Sequence, residues 1–324
     1  MSLIQRFRRW FRQPDVHSRD LFSFLQDACP DYVESLESRV MLAGNVQAVL
    51  TSGGDLRITG DNASNHIVLG QSVNGDLAIR ALSNTTVNGD AFITFTGFRT
   101  VPDDLLISMR GGDDLVEIID IQVEGSMRVN LGLGDDTLGA RWLVVQDNAS
   151  IVGGTGDDLI SFVGTAFHRN FRLSAGAGDD AVYFADTNLV AGNTTILAGS
   201  GDDAGIFVGG THEGRVSVNT GSGFDGLYVG TMSLPATTTT RFVLGSGDDI
   251  AALTSTSQPV AGRLIGSGGA DFVAVGPGAT FGMTTASVET LQLNEPLANT
   301  TTVIVVVVMQ ERYVSRGGSP SVVL

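Results

Sequence analysis

The chain has no lysine at all; its 19 basic side chains are arginines, set against 35 Asp and Glu, for a net charge of −16. An acidic surface repels phosphate polymers and anionic membranes. That argues against nucleic acid as a partner and favours cations. There is a single cysteine, Cys29, which excludes an intramolecular disulfide and a Cys-based zinc site. The longest apolar run, Val303 to Met309, is seven residues. That is far below the ~18 of a membrane helix, so no transmembrane helix is expected and the run reads as a strand. Arg6, Arg8, Arg9 and Arg12 make a basic start, but the apolar stretch of an ordinary secretory signal does not follow it. Nucleophile elbow, P-loop and HExxH are all missing.

Glycine is abundant, 42 of 324 residues, and hydrophobic residues make up 42%. Disorder needs low hydrophobicity; this composition suits many short strands joined by turns. The chain also repeats itself. GGDDLVEI, GLGDDTLGA, GTGDDLISF, GAGDDAVYF, GSGDDAGIF, GSGFDGLYV, GSGDDIAAL and GSGGADFVAV follow one another, and the last Asp of each marks a register. The markers are Asp114, Asp136, Asp158, Asp180, Asp203, Asp225, Asp249 and Asp271, at steps of 22, 22, 22, 23, 22, 24 and 22.

Apolar residues hold the same register. Four residues after the marker stand Ile118, Ala140, Phe162, Phe184, Phe207, Val229, Leu253 and Val275. Seven before it stand Ile107, Val129, Ile151, Leu173, Ile196, Val218, Phe242 and Leu264. Alternation on both sides of a Gly-Asp turn means strand, turn, strand. One coil cannot bury such a face, whereas stacked coils can. The predicted fold is all-β, a right-handed parallel β-helix with coils of about 22 residues. Residues 1–45 lie outside the repeat, as an export or targeting segment. Residues 46–104 read as degenerate coils, with Asn65 and then Asp90 at the marker register. Residues 105–276 are the regular repeats, and 277–324 supply closing strands and a loose tail.

Gly permits the left-handed backbone of a tight corner, and Asp caps turns. GxGDD is therefore a good β-helix corner whatever else it does. Yet Asn or Ser would serve as well, and Asp fills all eight markers. Stacked carboxylates ~4.8 Å apart repel by about 0.9 kcal/mol per pair in water and about 3.5 at an effective dielectric of 20. Asp113, Asp135, Asp157, Asp179, Asp202 and Asp248 add to that column. Cations, splayed side chains or raised pKa values must offset it. Calcium fits, because two Ca–O distances of ~2.4 Å span one coil rise, and magnesium fits less well.

GGTGDDLIS, Gly153 to Ser161, matches every defined position of GGxGxDxUx and so resembles the haemolysin-type (RTX) calcium repeat. The resemblance implies a secreted, calcium-bound β-roll with the marker Asp as metal ligand. Most other repeats lack the first Gly, and the motif occurs once per 22 residues rather than in tandem. ESLESRVMLAG, Glu34 to Gly44, resembles the LEPR-XLL motif near the start of many planctomycete surface or exported proteins, with Leu36, Glu37, Arg39 and Leu42 matching. It implies a secreted or cell-surface location, not an activity.

Parallel β-helices also carry polysaccharide lyases and hydrolases. Here the histidines, His17, His66, His168 and His212, are scattered. His168, Arg169 and Arg172, with Arg141 and Trp142 one coil earlier, are the residues a sugar would meet. Ordinary loop positions explain them equally well. The expectation is a non-enzymatic, calcium-binding β-helix with a structural or adhesive role, its variable loops touching surface glycans or other surface proteins. A carbohydrate-active β-helix enzyme is the competing class.

Overall fold

The computed structural model describes residues 44–185, 189–230, 233, 239–253, 260–275, 281–286 and 290–293. Cys29, the Glu34 to Gly44 motif up to residue 43, the Val303 to Met309 run and the tail lie outside these. Among the described residues every regular element is a strand.

A coil has three sides. Around Asp136, Met127–Leu133 forms the first side, Thr137–Arg141 the second and Val144–Val145 the short third. Equivalent strands of successive coils pair in parallel, so Val129 stands beside Ile151, and Ile151 beside Leu173. Among the described residues the long sides build two sheets of twelve strands and the short side a sheet of five. The result is the parallel β-solenoid that the 22-residue register predicts.

The interior is made of the residues that recur once per coil. Ile107, Val129, Ile151, Leu173, Ile196 and Val218 are at most 3% exposed; burying each contributes about 1.5–3 kcal/mol. Phe162 of the second side meets Phe167 of the third and Phe171 of the first, at ring-centre distances of 5.6 and 5.3 Å and near-perpendicular angles. Three sheets thus converge on one aromatic cluster. At the corner between the long sides, Gly154 has φ 135°, and a Cβ there would overlap the carbonyl oxygen of Gly132. Glycine is required there for both reasons.

The N-terminal end departs from expectation. Leu56–Thr59 and His66–Gln71 form a true coil, parallel to Leu105–Ser108 and Leu115–Ile119. Asn45–Leu50, Leu77–Leu82 and Phe92–Phe95 instead fold back antiparallel. Asp90 therefore occupies no marker position; it bridges antiparallel to Val87 and is exposed. The cause is local. Tight turns closed by Gly54 N–H to Thr51 O and Gly75 N–H to Ser72 O reverse the chain before a corner can form. The reversed strands cover the open edge of the solenoid, where unpaired N–H and C=O groups would otherwise invite another chain. At the other end Phe281–Ala286 and Thr290–Leu293 continue the parallel stacking.

The long sheets differ on their outer faces. The first shows polar residues such as Arg128, Asn130 and Arg172 to solvent. On the second, Leu159, Ser161, Ala181 and Ile206 are buried although they lie outside the interior cluster.

Candidate functional site: two aspartate columns

Each Gly-Asp-Asp corner presents two carboxylates, and the fold separates them. The second Asp of the pair is buried, at most 2% exposed in all eight markers. The first stays at the surface: Asp113, Asp135, Asp202 and Asp248 are exposed, Asp157 and Asp179 partly so.

Both columns are hydrogen-bond ladders, running in opposite directions. In the inner one the backbone N–H of each marker donates to Oδ1 of the marker one coil later. Asp114 gives to Asp136 at 2.7 Å, Asp136 to Asp158 at 2.9 Å and Asp158 to Asp180 at 2.8 Å. The ladder continues through Asp203, Asp225 and Asp249 to Asp271. In the outer one the N–H of each residue donates to the coil before it. Asp135 gives to Asp113 Oδ1, Asp157 to Asp135, Asp179 to Asp157 and Asp202 to Asp179, at 2.7–3.0 Å. Adjacent corners are therefore laced both ways.

The ends fit the same pattern. The Asn65 N–H donates to Asp114 Oδ1, so Asn65 does hold the marker register, and the Asp113 N–H donates to Ser64 Oγ. Phe224 and Ala270 accept nothing in the outer column: their N–H groups give to Asp202 and Asp248, and the ladder stops at each.

Burial sets the inner electrostatics. It pushes the Asp114 carboxyl up to about 8; the Asn65 N–H pulls the other way, and the Asp136 charge adds to the rise. Asp249 goes up to about 7 and Asp225 to about 6, burial again being the largest cause. A carboxylate shielded from water with one N–H donor is under-solvated. Among the described residues Asp249 Oδ2 has no hydrogen-bond partner. Asp114, Asp225 and Asp249 thus take up protons near neutral pH.

The outward side of this balance is the room around each carboxylate. A Cβ on Gly153 would overlap Asp158 Oδ2, and Thr220 hydrogen-bonds to Asp225. The position five residues before a marker therefore abuts its carboxylate. It is the first Gly of the RTX-like motif. Gly153 and Gly266 place no side chain there, whereas Met109, Leu131, Ala175, Ala198 and Leu244 put an apolar residue at that register. Calcium takes 6–8 oxygens; beside those five side chains the inner column offers few. The outer column has its carboxylates at the surface. Among the described residues no three His, Cys, Asp or Glu side chains converge on one point suited to a metal ion; the carboxylates run in lines.

A third ladder escaped the sequence reading. At the corner before the first side, Asn170 N–H donates to Asn148 Oδ1, Asn193 to Asn170 and Arg215 to Asn193, at 3.3, 3.0 and 2.9 Å. The signal was present, since these Asn share one register ten residues before the markers.

The carbohydrate candidates are not brought together. Arg141 and Trp142 sit at the corner between the second and third sides. His168 and Arg169 follow Ala166–Phe167 at the other end of the third side, where Arg169 pairs with Asp147 at 2.6 Å. His212 is an interior residue, stacked after Val190 on the third side and hydrogen-bonded to Thr194 Oγ1 at 2.8 Å. Burial lowers it to about 4. His66 is likewise lowered by burial.

Comparison with protein-family models, with curated proteins and with solved structures found no match for this chain.

Proposed function

We propose that this chain is a structural repeat protein of the cell surface or extracellular space, with calcium gathered along its outer Asp column. The carrying observation is the fixed line of surface carboxylates, Asp113, Asp135, Asp157, Asp179 and Asp202, each tied to the next coil. Like charges held about one coil rise apart raise the local demand for cations. The inner column needs no metal in this reading, because protonation relieves it. The LEPR-XLL-like segment supports export, and the variable loops supply contact surface for glycans or other surface proteins.

The test is thermal unfolding of the full chain in EDTA, then in millimolar calcium or magnesium. A ligand that binds only the folded state at 100 times its Kd stabilises it by about 2.7 kcal/mol. A calcium-selective rise that shrinks in the D135N/D157N/D179N variant supports the reading. A rise unchanged by that variant, or no rise, sinks the outer-column site.

One observation favours a second reading, a carbohydrate contact of the kind a β-helix enzyme also needs. Trp142 is 60% exposed and has φ 52°, a left-handed backbone that costs a bulky residue roughly 1–3 kcal/mol. Trp142→Ala should abolish binding to a polysaccharide panel if that strain serves recognition; a fold more stable and equally adhesive would remove this reading.

A further inference from the structure

The outer face of the first sheet carries a column of arginines in one register. The parallel pairing places Arg128, Ser150, Arg172, Thr195, Ser217, Arg241 and Arg263 side by side, coil after coil. All four arginines are exposed. Arg128 pairs with Asp104 at 3.1 Å. Among the described residues Arg172, Arg241 and Arg263 are in no ion pair. Arg241 and Arg263 stand in adjacent coils, so two like charges sit about 4.8 Å apart at their backbones. In a chain of net charge −16, such a cationic line is an isolated feature.

The same chain carries its complement. The outer Asp column lies seven residues further along each coil, with Phe224 and Ala270 interrupting it. The strand part alone, Arg128 to Leu133, spans about 16 Å, well beyond the screening length of about 8 Å at physiological salt. Within one molecule the two columns cannot neutralise each other. Both nevertheless share one period, the coil rise. The arginines sit two, three and one rises apart, from Arg128 to Arg172, Arg241 and Arg263. A second copy laid alongside therefore presents carboxylates at the spacing of these arginines, except at the gaps left by Phe224 and Ala270.

We propose that the arginine face of the first sheet docks the outer Asp column of a second copy of this chain. The contact is heterologous: each docked copy leaves one arginine face and one Asp column unused, so further copies add side by side. Opposite charge over a matched period gives specificity and a strong dependence on salt. The inference extends the structural reading above, but it does not depend on calcium.

The experiment is sedimentation velocity of the full chain in EDTA, from about 20 to about 500 mM NaCl. Wild-type protein should associate at low salt and dissociate at high salt. R172E/R241E/R263E removes one half of the contact, and D113N/D135N/D157N/D179N/D202N/D248N removes the other while keeping each side-chain oxygen that accepts an N–H. Each variant alone should be monomeric, its self-association weakened about tenfold or more. Mixed together they should form one-to-one dimers, because each retains the half the other lacks. Circular dichroism of each variant checks folding. Wild type that stays monomeric at low salt overturns the proposal. So does association that both variants retain, or a mixture that stays monomeric. A monomeric wild type that binds polygalacturonate through Arg172, Arg241 and Arg263 would reassign the face to acidic polymers. The calcium-dependent melting shift is read separately, so losing self-association leaves the proposed function standing.

Discussion

The backbone N–H of Asp136 donates to Oδ1 of Asp158, a carboxylate 22 residues later and wholly shut off from water. The outer neighbour of that pair is bonded the opposite way, Asp157 giving to Asp135. One corner thus uses two identical residue types for two different environments, and substitutions should tell them apart.

Asp158→Ala leaves the buried Asp136 N–H without an acceptor, at a cost of about 1–3 kcal/mol. Asp135→Ala uncovers an N–H that water can reach, and should cost about 0.5–1.5 kcal/mol. Asp158→Asn keeps the acceptor and should lie closer to wild type than Asp158→Ala. Urea unfolding of the three variants checks the order. Equal losses for the inner and outer alanine variants would contradict the ladder assignment.

The inner carboxyls make metal-free stability depend on pH. Asp114, Asp249 and Asp225 are raised from 3.8 to about 8, 7 and 6, so the folded state binds more protons than the unfolded one. Their contribution is complete below pH 3.8 and is lost as pH rises through 6 to 8. In EDTA the melting temperature should therefore fall between pH 6 and pH 9. A flat profile over that range would show that these carboxyls are not under-solvated.

His212 works in the other direction. Its folded value is lowered from 6.5 to about 4 by burial, so its contribution is complete above pH 6.5 and lost as pH falls through 4. One unit is worth about 1.36 kcal/mol, giving about 3 kcal/mol at most. His212→Val, matching the Val190 beside it, should remove this acid-limb loss while leaving the alkaline limb in place. Melting curves at pH 4, 6 and 8 decide it.

Two packing substitutions test the corner and the core. Phe162→Ala empties the point where three sheets meet and should cost about 3–5 kcal/mol. Gly154→Ala adds a Cβ where the Gly132 carbonyl already sits and should destabilise by more than the ~1 kcal/mol of a left-handed backbone alone. A Gly154→Ala protein as stable as wild type would show that the corner is looser than its backbone angles imply.

Much of this molecule could be read along the chain. A 22-residue register with period-2 flanks has one packing solution, in which equivalent residues stack. The interior positions Ile107, Val129, Ile151 and Leu173 follow from stacking alone, whereas the short third side with its buried Val145 and Phe167 stands where the sequence reads as a loop. The column of markers follows too, down to Asn65. The turn at Ser72–Gly75 misled, because Asp90 kept a plausible spacing while a hairpin won locally. Hairpin and coil differ only in the backbone angles of a few turn residues, which spacing does not report.

What the chain's periodicity alone determined is which residues become neighbours: translation by one coil preserves register, so a repeat in sequence becomes a column in space. What only the tertiary structure decided is the environment of each column. Whether a carboxylate faces the interior or the solvent depends on how the corner turns, with its glycines at positive φ, and adjacent Asp residues emerge on opposite sides of it. That separation decides their chemistry, because desolvation raises the inner Asp114, Asp225 and Asp249 while the outer carboxylates face the solvent.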